Sequence, residues 1–282
     1  GKEAESKALN EAQANIEEQE KLGAIKIANQ IKERETKVAE TRKDQDIAMP
    51  MNYYYGFDYT WYLLVLPAFL LALWAQLRVK TTYTKYSKIR SVRGRTAAEV
   101  ARQILNDHGL TYVRVDQIAG ELTDNYDPRT NVVHLSQGVY NSTSIAAIGV
   151  AAHECGHAVQ HAEEYGPLRL RSAIIPVTNI GSSLSIPIFF VGLLLNFPLL
   201  MSIGILLFGL VTLFQLITLP VEFNASRRAL ATIEERGLLT DDEARGARRV
   251  LSAAALTYVA ALASSLAQLL RLVIISRGRN RD

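Results

Sequence analysis

The sequence is poor in cysteine and histidine: its 282 residues include one cysteine, Cys155, and five histidines. A single cysteine excludes an intramolecular disulfide framework and a metal site built from several thiolates. The cysteine content therefore does not indicate whether the protein lies in an oxidising or a reducing compartment. The formal net charge of +3 is small and dispersed along the chain, so we expect no nucleic-acid partner.

Charged residues are absent from residues 173–221, which contain no Lys, Arg, Asp or Glu. A helix needs about 20 apolar residues to cross a bilayer core, so this stretch can cross twice. Asn196 and Pro198 interrupt it at a point suited to a tight hairpin. Whether the last apolar segment crosses stays open, because Gln268 and Arg271 interrupt it. The predicted spans lie near residues 59–77, 173–195, 199–220 and 253–275.

Residues 1–48 lack aromatic residues and proline but carry 20 charged side chains. Apolar residues recur among them at roughly helical spacing, which predicts a long, solvated helical arm that would pair with others like it and make the protein an oligomer. A disordered charged tail is the alternative. Because the composition changes abruptly at Met49-Pro50-Met51, a second alternative is a fused or foreign segment, with the native start at Met51.

Basic residues concentrate within 20 residues after the first predicted span. By the positive-inside rule this side of the membrane is cytoplasmic. We therefore expect a multi-pass membrane protein whose catalytic region, residues 79–172 plus 221–250, lies in the cytoplasm. No signal peptide is expected, because the first apolar stretch is long enough to be a span itself.

The hydrophilic region combines short helices with strands. Thr96 can cap a helix that ends near Asn106. Short strands are expected around residues 112–115 and 132–135, joined by turn-forming residues. A longer helix of small and apolar residues is expected over residues 145–161. The predicted fold class is thus a mainly α integral-membrane protein, with three to four transmembrane helices, a small α+β domain and the N-terminal helical arm.

His153, Glu154 and His157 form an H-E-x-x-H sequence within this longer helix. The spacing puts both imidazoles on one face, a turn apart, within reach of one Zn²⁺ ion. Glu154 can take a proton from water during attack on a peptide carbonyl and pass it to the leaving amine. The pattern predicts a zinc metallopeptidase. The alternative is that both histidines are polar residues on a surface helix.

Catalytic zinc usually has three protein ligands, so a third is expected. His161 is eight residues from His153, roughly 12 Å along a continuous helix, and we expect it beside the site or at the surface. Glu222 follows the third span. Because the second and third spans form a hairpin, the motif before it and Glu222 after it emerge on the same side. Glu222 is therefore the predicted third ligand, and an ordinary interfacial carboxylate is the alternative.

The sequence HECGHAVQH, followed by two spans and VEFNASRRAL, resembles the neutral zinc metallopeptidase family of YugP-type bacterial membrane proteins over about residues 51–275. It is more distantly similar to HtpX-type and CAAX prenyl proteases. The resemblance implies a bacterial cell-membrane gluzincin with a zincin-like catalytic domain, in which an HExxH helix and a later glutamate hold zinc. These more distant relatives carry aspartate where this chain has Ser226, so Asn224 or Ser226 is the expected hydrogen-bond partner of a ligand histidine.

The stretches AESKALNEAQANIEEQEKLG and KERETKVAETRKDQDIA resemble in composition the coiled-coil arm of flotillin-type (SPFH) membrane scaffold proteins. This resemblance implies a scaffold of that type as a partner, in addition to membrane lipid and a polypeptide substrate.

The strand before the motif helix pairs with extended substrate in related metallopeptidases, which points to Asn131, Val132, Val133 and His134. A core strand that is fully paired within the domain is an equally good interpretation. His134 is also a candidate donor to a tetrahedral oxyanion. Cys155 is expected on another face of the helix, as a buried core thiol.

Two functions are compatible with these features. The first is a zinc-dependent endopeptidase that hydrolyses membrane or membrane-proximal proteins. The second is a non-catalytic, zinc-containing membrane scaffold or adaptor assembled through the N-terminal arm. The presence of Glu154 favours the enzyme, because a purely structural zinc site needs no general base.

Overall fold

A computed structural model of the chain describes Glu33, Lys37 and residues 59–279. The chain divides into two compact units, Gly1–Tyr59 and Thr60–Asp282. In the first unit, Lys37 and Glu33 form a helical ion pair of 3.0 Å. The rest of the predicted arm lies outside the described residues, and so does the change in composition at residues 49–51. The oligomer, tail and fusion interpretations therefore stay predictions.

The second unit is mainly helical, as the sequence predicts. A π-helical turn at Trp61–Val65 leads into the first helix. In chain order the elements are α1 (Leu66–Ser87), α2 (Ala97–Asp107), β1 (Arg114–Ile118), β2 (Asn125–Asp127), β3 (Val132–Ser136), α3 (Gln137–Tyr140), α4 (Ile145–Ala162), α5 (Gly166–Leu194), α6 (Pro198–Glu235) and α7 (Asp241–Arg279).

Four helices within residues 59–279 are long and apolar enough to cross a membrane: Trp61–Ser87, Gly166–Leu194, Pro198–Glu235 and Asp241–Gly278. The last of these includes the segment whose crossing the sequence left open. All four are longer than the predicted spans, because polar and charged turns extend the apolar parts as continuous helix. Pro220 lies inside α6 and does not end it, so Glu222 belongs to the third spanning helix rather than to a new one.

Helix α2 begins where the sequence predicts because its first turn is capped. The Thr96 hydroxyl accepts a hydrogen bond from the Glu99 amide, and the Glu99 carboxylate accepts one from the Thr96 amide. This reciprocal pair satisfies two amides that have no partner within the helix. Shortly after the helix ends, Gly109 adopts a φ of +73°, a conformation that a Cβ disfavours. Both boundaries therefore have local causes.

The three strands form one sheet in the order β1-β3-β2. Strand β3 pairs in parallel with β1 and antiparallel with β2. Val132–His134 are hydrogen-bonded to a strand on each side, which favours the alternative of a core strand paired within the domain. Substrate pairing at Asn131, Val132, Val133 and His134 stays a prediction. Strand β2 lies in a segment that the sequence assigned to a turn, and it is an edge strand of the described sheet.

The motif helix α4 lies at the centre of the main hydrophobic core. Its buried face is built of small and apolar residues, and it packs against α2, α6 and α7. Val133 and Leu135 of β3 are completely buried in the same core. Small side chains let neighbouring helices approach α4 closely, which brings the residues of α6 within reach of the motif.

Candidate metal centre

The structure brings together His153 and His157 of α4 and Glu222 of α6. One ligand atom from each of the three lies within 4.8 Å of the others. Glu222 Oε2 lies 3.3 Å from His153 Nε2 and 3.6 Å from His157 Nε2. The two imidazole rings are 4.7 Å apart and nearly perpendicular. Two nitrogen atoms and one carboxylate oxygen thus converge on one point, as in a three-ligand zinc site.

Glu222 is the most informative member of this group because its side chain is only 3% exposed. Its Oε2 atom is buried and accepts no hydrogen bond from any described residue. A buried carboxylate oxygen without a donor is costly unless a cation lies beside it. The residues therefore fit a zinc ion held by the two Nε2 atoms and Glu222 Oε2.

Each histidine is oriented through its second ring nitrogen. His153 Nδ1 lies 3.1 Å from the Ser226 hydroxyl, and His157 Nδ1 lies 2.9 Å from the Gln160 side-chain oxygen. Gln160 is itself fixed, since its amide nitrogen donates to the Val221 carbonyl and to Asn224 Oδ1. Such contacts hold the ring so that Nε2 faces the metal.

The two residues expected to support a ligand histidine therefore differ in their contacts. Ser226 touches His153 directly, whereas Asn224 reaches His157 only through Gln160. Gln160 was not among the predicted site residues. Its signal was available: it follows His157 by three residues, which places it on the same side of α4 one turn further on.

Two further residues at the site were also missed. Arg171 of α5 donates to Glu222 Oε1 at 3.2 Å. The sequence predicts no role at the site for this segment, so the contact is found only in the structure. Tyr258 of α7 lies near the carboxylates of Glu222 and Glu154. Nothing in the spacing of the sequence points to either residue, because they come from helices that meet the motif only in the folded chain.

Glu154 is 9% exposed. Burial raises the pKa of Glu154 above its usual range, and the neighbouring His153 and His157 oppose this effect. A carboxylate with a raised pKa takes up a proton more readily than an ordinary surface glutamate. Its position beside the two histidines is therefore compatible with proton transfer.

His161 and His134 are not among the three converging side chains. His161 is exposed, and its Nδ1 lies 2.8 Å from the Tyr126 hydroxyl of β2, which agrees with the expected surface position. His134 alternates with Val133 and Leu135, which face the core shared with α4. Its side chain therefore projects from the other face of the sheet, and its role as a donor to an oxyanion stays a prediction.

Cys155 lies on the buried side of α4. It is completely buried, and its thiol contacts the Ala101 carbonyl of α2 at 3.6 Å. Burial raises the pKa of the Cys155 thiol well above its usual range. The thiol is thus uncharged and packed between two helices, as the sequence predicts, and it is not part of the group of His153, His157 and Glu222.

Comparisons with known proteins agree with this geometry. The sequence model of a family described as "Putative neutral zinc metallopeptidase" matches residues 61–277. The "Putative membrane protease YugP" of Bacillus subtilis (strain 168) is 51% identical over 212 residues, which are 75% of this chain and 94% of the relative. No solved structure matches the chain. The matched residues include the motif, Glu222 and the four long helices, and the chain belongs to the neutral zinc metallopeptidase family.

Proposed function

We propose that this chain is a zinc-dependent endopeptidase that hydrolyses membrane or membrane-proximal polypeptides. His153, His157 and Glu222 hold the zinc ion, and Glu154 is the general base. The observation that carries the proposal is the buried Glu222 Oε2, which lacks a hydrogen-bond donor and faces the Nε2 atoms of both motif histidines. Membership of the family adds an independent reason for zinc and for peptide hydrolysis.

The chemistry divides between the metal and the protein. When bound, zinc supplies a Lewis acid that polarises the scissile carbonyl and makes a water molecule more acidic. The Glu154 carboxylate takes the proton of the attacking water and passes it to the leaving amine. Gln160 and Ser226 keep the two imidazoles oriented. Arg171 donates a hydrogen bond to Glu222 Oε1, so that Oε2 stays directed at the histidines.

Tyr258 is the proposed donor to the developing oxyanion. Its side chain lies near both Glu222 and Glu154, the residues assigned here to zinc binding and to proton transfer. A phenol donates a hydrogen bond while remaining neutral, and donors at an oxyanion typically contribute a factor of about 10² to 10³ in kcat. Tyr258 is preferred to His134 for this role because it lies near Glu222 and Glu154.

An extended substrate is best accommodated along β2. This strand is an edge of the described sheet, and Tyr126 in its middle contacts His161 at the end of the motif helix. Main-chain pairing with an edge strand recognises extended polypeptide with little demand on its side chains. The substrate would therefore be an unfolded or extended segment rather than a defined sequence.

The position of the site favours membrane-proximal substrates. Glu222 lies on α6 directly after the uncharged stretch that ends at Val221, and Arg171 lies at the start of α5. Both residues are therefore at the boundary between apolar span and polar region. We place this boundary at the cytoplasmic face of the bacterial cell membrane, since the basic residues after the first span are on the same side.

The scaffold alternative predicts a zinc site without hydrolysis. A substitution of Glu154 therefore distinguishes the two functions. Purified full-length protein in detergent is assayed for zinc content and for cleavage of casein, an unfolded polypeptide. The proposal expects Glu154→Gln to keep about one zinc per chain and to lose activity by about 10² to 10⁴-fold. Glu235→Gln, which removes an exposed carboxylate at the end of α6, is the matched control. Equal cleavage by Glu154→Gln and wild type would overturn the enzymatic assignment.

A further inference from the structure

A second cavity, separate from the metal centre, lies between α1 and α7. This basic pocket has a volume of about 390 Å³, within the range of roughly 300–1,000 Å³ that small-ligand sites have. It combines cationic side chains with hydroxyl groups. Its lining residues are Arg78, Thr81, Thr82, Lys85, Tyr86, Arg248, Arg249 and Ser252.

The lining of the basic pocket has an excess of positive charge. It contains three arginines and one lysine, and no acidic residue lines it within the part of the chain that the structure describes. Arg248 pairs with Glu234 at 2.7 Å, which neutralises one of the four charges. Because uncompensated cations gathered in a cavity attract an anion, the composition indicates a ligand with at least one negative charge.

The basic pocket also lies just outside the apolar parts of both helices. Arg78 directly follows the apolar part of α1, which ends at Leu77, and Arg249 comes four residues before Ala253, where the apolar part of α7 begins. The cations of both helices are therefore at the same membrane boundary. Lipid headgroups occupy this depth, and basic residues immediately cytoplasmic of a span bind anionic headgroups.

Apolar side chains continue from the pocket along α1. Leu73, Trp74 and Leu77 are all exposed, and the Arg78 guanidinium lies 5.2 Å from the centre of the Trp74 ring. A ligand that placed a phosphate against the cations would have this apolar surface beside it. A free phosphate ion would use the cations alone, whereas a phospholipid would use both surfaces.

We propose that the basic pocket binds the phosphate headgroup of an anionic phospholipid, with an acyl chain lying along the exposed apolar face of α1. The phosphate contacts Arg78 and Lys85 from α1 and Arg249 from α7. The bound lipid therefore fastens the first spanning helix to the last one.

The link between the two helices would stabilise the hydrophobic core through Tyr86. Its hydroxyl accepts a hydrogen bond from Arg249 Nη1 at 2.9 Å. Its ring lies so close to α7 that a Cβ added to Gly246 would be 2.8 Å from a ring carbon. Tyr86 is buried in the same core as the motif helix. Occupation of the pocket is therefore expected to raise the melting temperature of the whole second unit.

The test uses purified full-length protein in a neutral detergent. Binding of phosphatidylglycerol is measured by native mass spectrometry and by the melting temperature, with phosphatidylcholine and inorganic phosphate as separate arms. The variant is Arg78→Gln/Lys85→Gln. The matched control is Lys80→Gln/Lys88→Gln, which removes the same charge from the same helix and its end without touching the pocket. All four side chains are exposed, so both double variants are expected to fold.

We expect phosphatidylglycerol to bind and to raise the melting temperature of wild type and control. The Arg78→Gln/Lys85→Gln protein should bind it about 10- to 30-fold more weakly, since each basic residue near the surface contributes about one kcal/mol to anionic-lipid binding. Equal weakening in the control would overturn the pocket as the site. Equal stabilisation by inorganic phosphate would overturn the lipid as the ligand, and equal binding of phosphatidylcholine would overturn recognition of the anion.

Discussion

The backbone of Gly156 on α4 lies directly against the backbone of Ala225 on α6. A Cβ built on Gly156 would be 2.6 Å from the Ala225 carbonyl oxygen, closer than two such atoms can approach. Gly156 immediately precedes the proposed ligand His157, and Ala225 comes three residues after Glu222. The contact thus sets the distance between the two helices at the level of the metal centre.

The Gly156–Ala225 contact predicts that Gly156→Ala separates the motif from Glu222. The added methyl group meets backbone atoms, which cannot move aside as a flexible side chain can. We expect a loss of about 1–3 kcal/mol in the free energy of unfolding, as for other overpacked cores, together with weaker zinc binding. Thermal unfolding and zinc titration of the purified variant measure the two effects.

The control for this substitution is Gly209→Ala. Gly209 is also helical, on α6, but a Cβ added to it meets nothing within 4 Å. Alanine is favoured over glycine in a helix by up to about 1 kcal/mol, so this variant should be at least as stable as wild type. Equal zinc affinity in the two variants would contradict the role of the close contact.

Gln160 provides the second prediction, because it connects His157 to α6. Gln160→Ala removes the contact to His157 Nδ1 and the hydrogen bonds to Val221 and Asn224. Loss of such a partner typically weakens metal binding by about 10- to 100-fold. We expect this loss in a competition assay with a zinc chelator.

The neighbouring His161 is the control for Gln160. It lies on the same helix one residue later, but it is exposed and contacts Tyr126 instead of a ligand. His161→Ala should therefore keep the zinc affinity of wild type. A larger loss in His161→Ala than in Gln160→Ala would mean that the support of His157 has been misassigned.

Local signals account for the parts of the fold that the sequence predicted. The H-E-x-x-H spacing and the small residues around it specify one face of α4, and Thr96 with Glu99 specifies the start of α2. The uncharged stretch specifies the hairpin. Each of these features depends on residues a few positions apart, so one sequence is enough to recognise them.

The parts that were missed depend on contacts between distant segments. Two of the three residues of strand β2, Asn125 and Asp127, are of types common in turns, and pairing with β3 makes it a strand. In the sequence, Arg171 resembles an ordinary cation at the membrane interface, and Tyr258 resembles an aromatic residue of an apolar helix. Their position beside Glu222 follows only from the packing of the helices. For strand β3 the sequence left substrate pairing and core pairing equally open, because position in the sequence does not reveal that both of its edges are paired.

The orientation of the catalytic region is a third prediction. If the region between the first two spans is cytoplasmic, an exposed cysteine introduced there must be inaccessible from outside the cell. We expect a membrane-impermeant maleimide added to intact spheroplasts to label Leu195→Cys, in the hairpin between α5 and α6, and to leave Asn106→Cys and Asp241→Cys unlabelled. Permeabilised cells should show labelling at all three positions.

The native Cys155 is not expected to react in this labelling experiment. Its thiol is buried, and burial raises its pKa, so the reactive thiolate is scarce at neutral pH. The folded parent protein should remain unlabelled, and denaturant should expose one thiol per chain. Labelling of Asn106→Cys and Asp241→Cys from opposite sides of the membrane would contradict the hairpin, whatever the absolute orientation.

Glu222 is the subject of the last prediction, because it decides whether the three converging side chains are a metal site. Glu222→Gln keeps the size of the side chain and an oxygen that can accept from Arg171, but it removes the negative charge. If Glu222 is a zinc ligand, this change should weaken zinc binding severely, since a neutral amide is a poor substitute for a carboxylate. Inductively coupled plasma mass spectrometry of the purified protein gives the zinc content.

The control is Glu243→Gln, at a carboxylate that is also buried but has structural partners. Glu243 accepts hydrogen bonds from the Val92 and Thr240 amides and lies at the start of α7. Its substitution should lower the melting temperature and leave about one zinc per chain, whereas Glu222→Gln should lose zinc with the fold retained. A Glu222→Gln protein that holds as much zinc as wild type would show that Glu222 is an interfacial carboxylate paired with Arg171, and the third ligand would have to be sought elsewhere.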